Sequence, residues 1–125
     1  MTLSALSALG FALICAGVVA FQVALIAGAP WGRLTQGGGT EGVLPVRGRV
    51  AAGISGLLIA AMALAILSVA GMWPNWPIWT GWAAVALQVV STILNWITPS
   101  TAERRLWGPT TTVMLVLAIA AVLTA

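Results

Sequence analysis

Histidine, aspartate, lysine and tyrosine are all absent from the 125-residue chain, and glutamate occurs only twice. These absences exclude much chemistry at once. No histidine can ligate a metal or serve as a general base, and a Ser-His-Asp triad cannot be assembled. Two glutamates, both in loops, do not supply paired acids on facing helices. No catalytic residue, metal site or cofactor is therefore expected. Charge is equally scarce. Charged residues make up 6% of the chain, against about 25% in a soluble domain. Seven charges cannot clothe a water-soluble surface.

What fills the chain instead is hydrocarbon: 61% hydrophobic residues and a mean hydropathy of +1.09. Spanning a bilayer core takes about 20 residues of helix. Four runs qualify, at 3–27, 50–72, 78–97 and 109–125. The expected fold is all-α, one domain, a four-transmembrane-helix bundle of up-and-down topology. The first run lacks a positive n-region and exceeds a signal peptide's apolar stretch of roughly 7–15 residues, so it reads as a retained helix. Cys15 lies within it, without a disulfide partner, as a small apolar filler.

The net charge of +3 comes from five arginines and two glutamates. A sequence pI near 11.4 would suggest nucleic acid in a soluble protein. Here the arginines flank apolar runs, so no nucleic-acid partner is expected. Arg33, Arg47 and Arg49 fall in the 28–49 loop, and Arg104 and Arg105 in the 98–108 loop. An up-and-down chain puts both loops on one side. The positive-inside rule makes that side cytoplasmic and both termini external. Tryptophans mark two interfaces: Trp73, Trp76, Trp79 and Trp82 at the 73–77 turn, and Trp31, Trp96 and Trp107 at the arginine end.

Three segments carry more than hydrophobicity. In the first run Ser4, Ala8, Ala12, Ala16, Ala20, Ala24 and Gly28 recur at every fourth position. Membrane helices pack by close backbone approach, so this ridge predicts a helix-packing face. It serves either a neighbouring span or an oligomer seam or partner subunit, and Leu at Ala16 should overpack it. In the third run Gly81, Ala84, Gln88, Ser91, Thr92 and Asn95 share a face. With Gln22 and Thr110–Thr112 they either bond helix to helix or line a cleft, because lipid offers amides no partner. Arg47, Arg49, Arg104 and Arg105 lie near the same edge and would suit the anionic head of a membrane lipid, since arginine can hold phosphate bidentately. Finally, Ser100 and Glu103 have capping-box spacing. That predicts a short helix from Ser100, with Pro109 opening the fourth span as its first helical residue. The 22-residue, glycine-rich first loop exceeds what a helix connection needs and is suited to fold back as a lid or contact surface.

The stretches Ala29-Pro30-Trp31-Gly32, Gly42-Val43-Leu44-Pro45 and Thr98-Pro99-Ser100 through Glu103-Arg104-Arg105 and Trp107-Gly108-Pro109 resemble those of an uncharacterised group of small bacterial four-helix integral membrane proteins. The resemblance implies a bacterial inner membrane and carries no activity. Beside a lesser one, an enzyme on a lipid or isoprenoid substrate using Glu41, Glu103 and arginines at the cytoplasmic surface, two readings of function follow from the residues. One is a non-catalytic accessory, scaffold or lipid-binding subunit acting through helix packing. The other is a small-molecule transporter or channel using the polar face of the third helix.

Overall fold

The computed structural model describes residues 1–125 and holds four long helices and no β-strand. They are α1 (Leu3–Ile26), α2 (Val46–Val69), α3 (Ile78–Ile97) and α4 (Thr101–Leu123). Each is long and apolar enough to cross a membrane. The protein is an all-α, multi-pass membrane protein. Consecutive helices lie side by side, and α4 closes the ring against α1. The Ser4 hydroxyl donates to Ala121 O at 2.7 Å, bringing the start of α1 to the end of α4.

Local chemistry sets the helix limits. Thr2 caps α1 by accepting from Ala5 N at 3.0 Å. Gly28 and Gly71 sit at φ +103° and +84°, left-handed values that a side chain disfavours. Each ends its helix in a Schellman pattern, with Ala29 N bonded to Ala24 O and Met72 N to Leu67 O.

Two boundaries differ from the sequence reading. Helix α2 begins at Val46, so Arg47 and Arg49 lie in its first turn rather than in the loop. Hydropathy locates the hydrocarbon span, whereas the helix runs past it into the headgroup layer. Helix α4 begins at Thr101, and Pro109 is inside it rather than at its start. Proline removes a backbone donor and crowds the preceding turn. The hydroxyls of Thr110, Thr111 and Thr112 donate to the carbonyls of Leu106, Trp107 and Gly108 at 2.6–2.8 Å. These bonds give second donors to the three carbonyls that follow Arg105 O, the one Pro109 leaves without its usual backbone donor. The 98–108 loop thereby shrinks to Thr98–Ser100, and Arg104 and Arg105 are helical.

The main core lies in the half nearer the termini and the tryptophan turn. It joins Ala8, Phe11 and Cys15 of α1 to Met62, Ala65 and Ile66 of α2, with Ala84, Val85, Met114 and Ala118 opposite. The alanine ridge enters this core only in part. Ser4 and Ala8 are buried and Ala12 and Ala24 half-buried, but Ala16 and Ala20 are exposed. A spacing of four advances 400° on an α-helix, so the line drifts about 40° per step and winds off the buried face. The buried stripe is instead Ser4, Ala8, Phe11 and Cys15, continuing to Leu25.

Candidate functional site

At the arginine end α2 and α3 part, and a cavity of about 350 Å³ opens between them. The two helices meet least of the neighbouring pairs. They are tight near their connecting turn, where Gly81 lies so close to Val69 that a β-carbon would collide with it. From there the seam widens. Leu58, Leu87, Val90 and Leu94 line the cavity and are also 40–56% exposed on the outside of the bundle. The cavity therefore communicates sideways with the apolar surroundings. A shallower apolar groove of about 140 Å³ continues along the same seam to Trp76 and Trp79, sharing Leu58, Met62 and Leu87 with the cavity.

Polar groups converge on its inner wall. Gln22, Gln88, Ser91 and Asn95 all line it, as does Thr111. Gln88 is 1% exposed, and its Nε2 donates to Thr111 O at 3.1 Å. Thr92 Oγ1 donates to the same carbonyl at 3.1 Å and to Gln88 O at 2.7 Å. Asn95 Nδ2 turns back to Ser91 O on its own helix, at 2.7 Å. The polar stripe thus divides: Gln88 and Thr92 tie α3 to α4, while Ser91 and Asn95 face the cavity without bridging helices.

The floor comes from the first loop and the start of α4. Residues 32–34 and 36–38 form two short 3₁₀ turns that dock on α4. Gly37 N donates to Glu103 Oε2 at 2.9 Å, Ser100 Oγ to Arg33 O at 2.8 Å, and Trp107 Nε1 to Leu34 O at 2.8 Å. Gly38 has φ +71°, and a β-carbon there would stand 2.5 Å from Ser100 Cβ. The loop folds back because glycines allow both the left-handed turn and this contact. Thr35, Glu103, Trp107 and Phe21 complete the cavity wall, and Phe21 meets Trp107 edge-on at 4.9 Å.

Glu103 changes role relative to its capping-box reading. Ser100 Oγ does accept from Glu103 N, at 3.2 Å. The carboxylate, however, reaches Gly37 instead of closing the box at Ser100 N. It is 7% exposed and is the only ionisable side chain on the cavity wall. It stands in the first turn of α4. No buried side-chain nitrogen or oxygen in the protein lacks a partner. On the cavity wall, Glu103 Oε1 and the amide oxygens of Gln22, Gln88 and Asn95 take no protein donor and are accordingly not fully enclosed.

The arginines are not part of this wall. Arg49 Nε donates to Leu44 O at 3.1 Å, and Arg104 Nη1 to Thr98 O at 3.2 Å, while Arg47 and Arg105 are exposed. The structure brings Gln22, Gln88, Ser91 and Asn95 together on the wall, sets Thr92 behind it on Thr111 O, and leaves Arg47, Arg49, Arg104 and Arg105 outside the cavity. Thr35, Ser55, Glu103 and Trp107 were not among the residues expected there. Ser55, a hydroxyl amid the apolar α2, carried the one sequence signal. The position of Glu103 depends on the loop docking, which no local pattern encodes. Trp107, expected as an interface anchor, is spent on the loop.

Compared with known proteins, the chain matches no family model, no curated protein and no solved structure. Its function is read from this geometry.

Proposed function

We propose that this multi-pass membrane protein is a non-catalytic binder of a small amphiphile, taken up sideways between α2 and α3. The observation that carries the reading is the cavity of about 350 Å³, with an apolar, outward-open seam on one side and amides on the other. That volume is at the lower end of ligand pockets, roughly 300–1,000 Å³. A single-chain or compact lipophile suits it better than a whole two-chain lipid, with the chain lying in the groove toward Trp76 and Trp79. Binding is favoured over catalysis because Glu103 faces no second ionisable group with which to exchange a proton. A transport route along α3 would have to continue to the tryptophan turn, and there Met62, Ala65, Ala84, Val85 and Met114 pack into the core.

The membrane setting belongs to the same proposal. Five arginines at one end support a cytoplasmic position for that end under the positive-inside rule, with both termini outside; the proposed host is a bacterial inner membrane. Lipid is the expected surrounding partner. The exposed Ala16 and Ala20 face outward, where a second copy or a larger membrane complex would meet them.

Native mass spectrometry of the protein released from micelles tests the binding reading. The wild type should retain one amphiphile-sized adduct per chain. The double variant Ser55→Leu, Ser91→Leu fills the cavity with hydrocarbon from two facing helices and should lose it while remaining monodisperse. Identical adducts in both forms would overturn the proposal.

A further inference from the structure

The cavity's electrostatics define the head group it can accept. A carboxylate withdrawn from water is costly unless charge or hydrogen bonding compensates it. Glu103 is 7% exposed, and its compensation comes from a backbone N–H rather than from a guanidinium. The nearby arginines are directed elsewhere: Arg49 to Leu44 O, Arg104 to Thr98 O and Thr101 Oγ1. Arg33, Arg47 and Arg105 are exposed to the aqueous edge, where salt screens charge over about 8 Å. The cavity wall is therefore singly negative, at the end of the fold that is positive outside. Two aromatic rings, Phe21 and Trp107, stand in the same wall; Trp31 stacks on one face of Phe21, and ring surface left uncovered attracts cations most strongly where water is excluded. The Glu103 carboxylate and the donor-free amide oxygens of Gln22, Gln88 and Asn95 on this wall offer acceptors and no positive charge.

We propose that the cavity is a site for a cationic amphiphile. An ammonium-type head is held by the Glu103 carboxylate beside Phe21 and Trp107, with Gln88 Oε1 as a second acceptor, and its apolar chain leaves along the α2–α3 seam. This inference rests on the amphiphile-binding reading above and adds the sign of the head group. It replaces the anionic head that the arginines suggested. Entry is sideways from the bilayer, past Val90 and Leu94, so the ligand does not cross the arginine-rich edge.

Three probes of one chain length separate the possibilities: decylammonium, decanol and decyl sulfate, each titrated against the full-length protein in lipid nanodiscs. Decylammonium should bind roughly tenfold or more tightly than decanol, the scale of a hydrogen bond to a charged group, and decyl sulfate most weakly. Glu103→Gln keeps an acceptor for Gly37 N and removes the charge, so the amine-to-alcohol ratio should fall to about one. Glu103→Asp should retain a ratio well above one. If Glu103→Gln does not fold, the ranking of the three probes on the wild type decides alone. Equal binding of amine and alcohol, lost in the Ser55→Leu, Ser91→Leu variant, would overturn the cationic assignment and leave the amphiphile site standing. Preference for decyl sulfate would overturn it in favour of an anionic head. Binding of none of the three would overturn both readings.

Discussion

The backbone N–H of Gly37 donates to Glu103 Oε2 at 2.9 Å, across 66 positions of sequence. This bond does two things at once. It holds the first loop over the end of the bundle, and it fixes a carboxylate in the wall of the cavity. Two further bonds, from Trp107 Nε1 to Leu34 O and from Ser100 Oγ to Arg33 O, clamp the same loop to the cap and first two turns of α4. The loop is thus a structural element of the cavity rather than a spacer between spans.

That docking is testable through neighbouring glycines. Gly38 has φ +71° and sits against Ser100, whereas Gly39 has φ −69° with open space around its α-carbon. Gly38→Val should cost about 1–3 kcal/mol from backbone strain and overpacking. It should also expose the Arg33 bond to trypsin. Gly39→Ala should be neutral or stabilise by about 0.4–1 kcal/mol by restricting the unfolded chain. Thermal unfolding in detergent and the rate of tryptic cleavage measure both. Equal behaviour of the two variants would contradict the docked loop.

A second pair of substitutions separates the core face of α1 from its outer face. Ala8 is fully buried among Phe11, Cys15 and the facing helices, while Ala16 is exposed. Ala8→Leu should destabilise by about 1–3 kcal/mol. Ala16→Leu should leave the bundle's melting temperature within a degree or two of the wild type. A large loss at Ala16 would mean that its face is covered.

The contrast between Ala8 and Ala16 also shows how far the sequence is readable. Hydropathy is a local, additive property, so the four spans, the tight tryptophan turn and the polar face of α3 were legible from composition and spacing. The seven-residue ridge was legible as a pattern but not as a face. Its period of four departs from the helical 3.6, and only the partner helices decide where the line leaves the core. Pro109 was misplaced for a related reason. Alone it reads as a helix start, whereas α4 had already begun eight residues earlier at Thr101, capped by Ser100. The candidate site was half legible. Gln88, Ser91 and Asn95 announce themselves as amides and hydroxyls in hydrocarbon. Glu103 does not, because its burial is produced by Gly37, a partner 66 positions away.

Orientation can be mapped with single cysteines, because the native Cys15 is 1% exposed and contributes little labelling. Gly39 and Pro77 lie at opposite ends of the bundle, both exposed and both with ordinary negative φ. In intact cells a cysteine at Pro77 should react with a membrane-impermeant thiol reagent. One at Gly39 should react only with a permeant reagent. The reverse pattern would overturn the arginine-based orientation.

The final prediction concerns one carbonyl with two side-chain donors. Thr111 O accepts from Gln88 Nε2 and from Thr92 Oγ1, both at 3.1 Å. Removing either donor leaves the other in place. Gln88→Leu and Thr92→Val preserve approximate volume, and each should cost about 0.6 kcal/mol or less, the average for a side-chain hydrogen bond between membrane helices. The double variant removes both donors and with them the only side-chain bonds from α3 to that carbonyl. Its loss should exceed the sum of the two single losses by about 0.5 kcal/mol or more, the coupling expected of groups sharing one partner. Additive losses in a double-mutant cycle, measured by reversible unfolding in mixed micelles, would show that the two donors act independently. The chemistry of Thr92 makes the cycle informative in a second way. Its hydroxyl has one proton and two acceptors in reach, Gln88 O at 2.7 Å and Thr111 O at 3.1 Å. With Gln88 intact, the shorter bond within α3 takes the proton most of the time. With Gln88 replaced by Leu, Thr111 O has only this hydroxyl left among side chains, and the proton shifts toward it. Gln88→Leu alone should therefore be tolerated better than its 1% exposure implies.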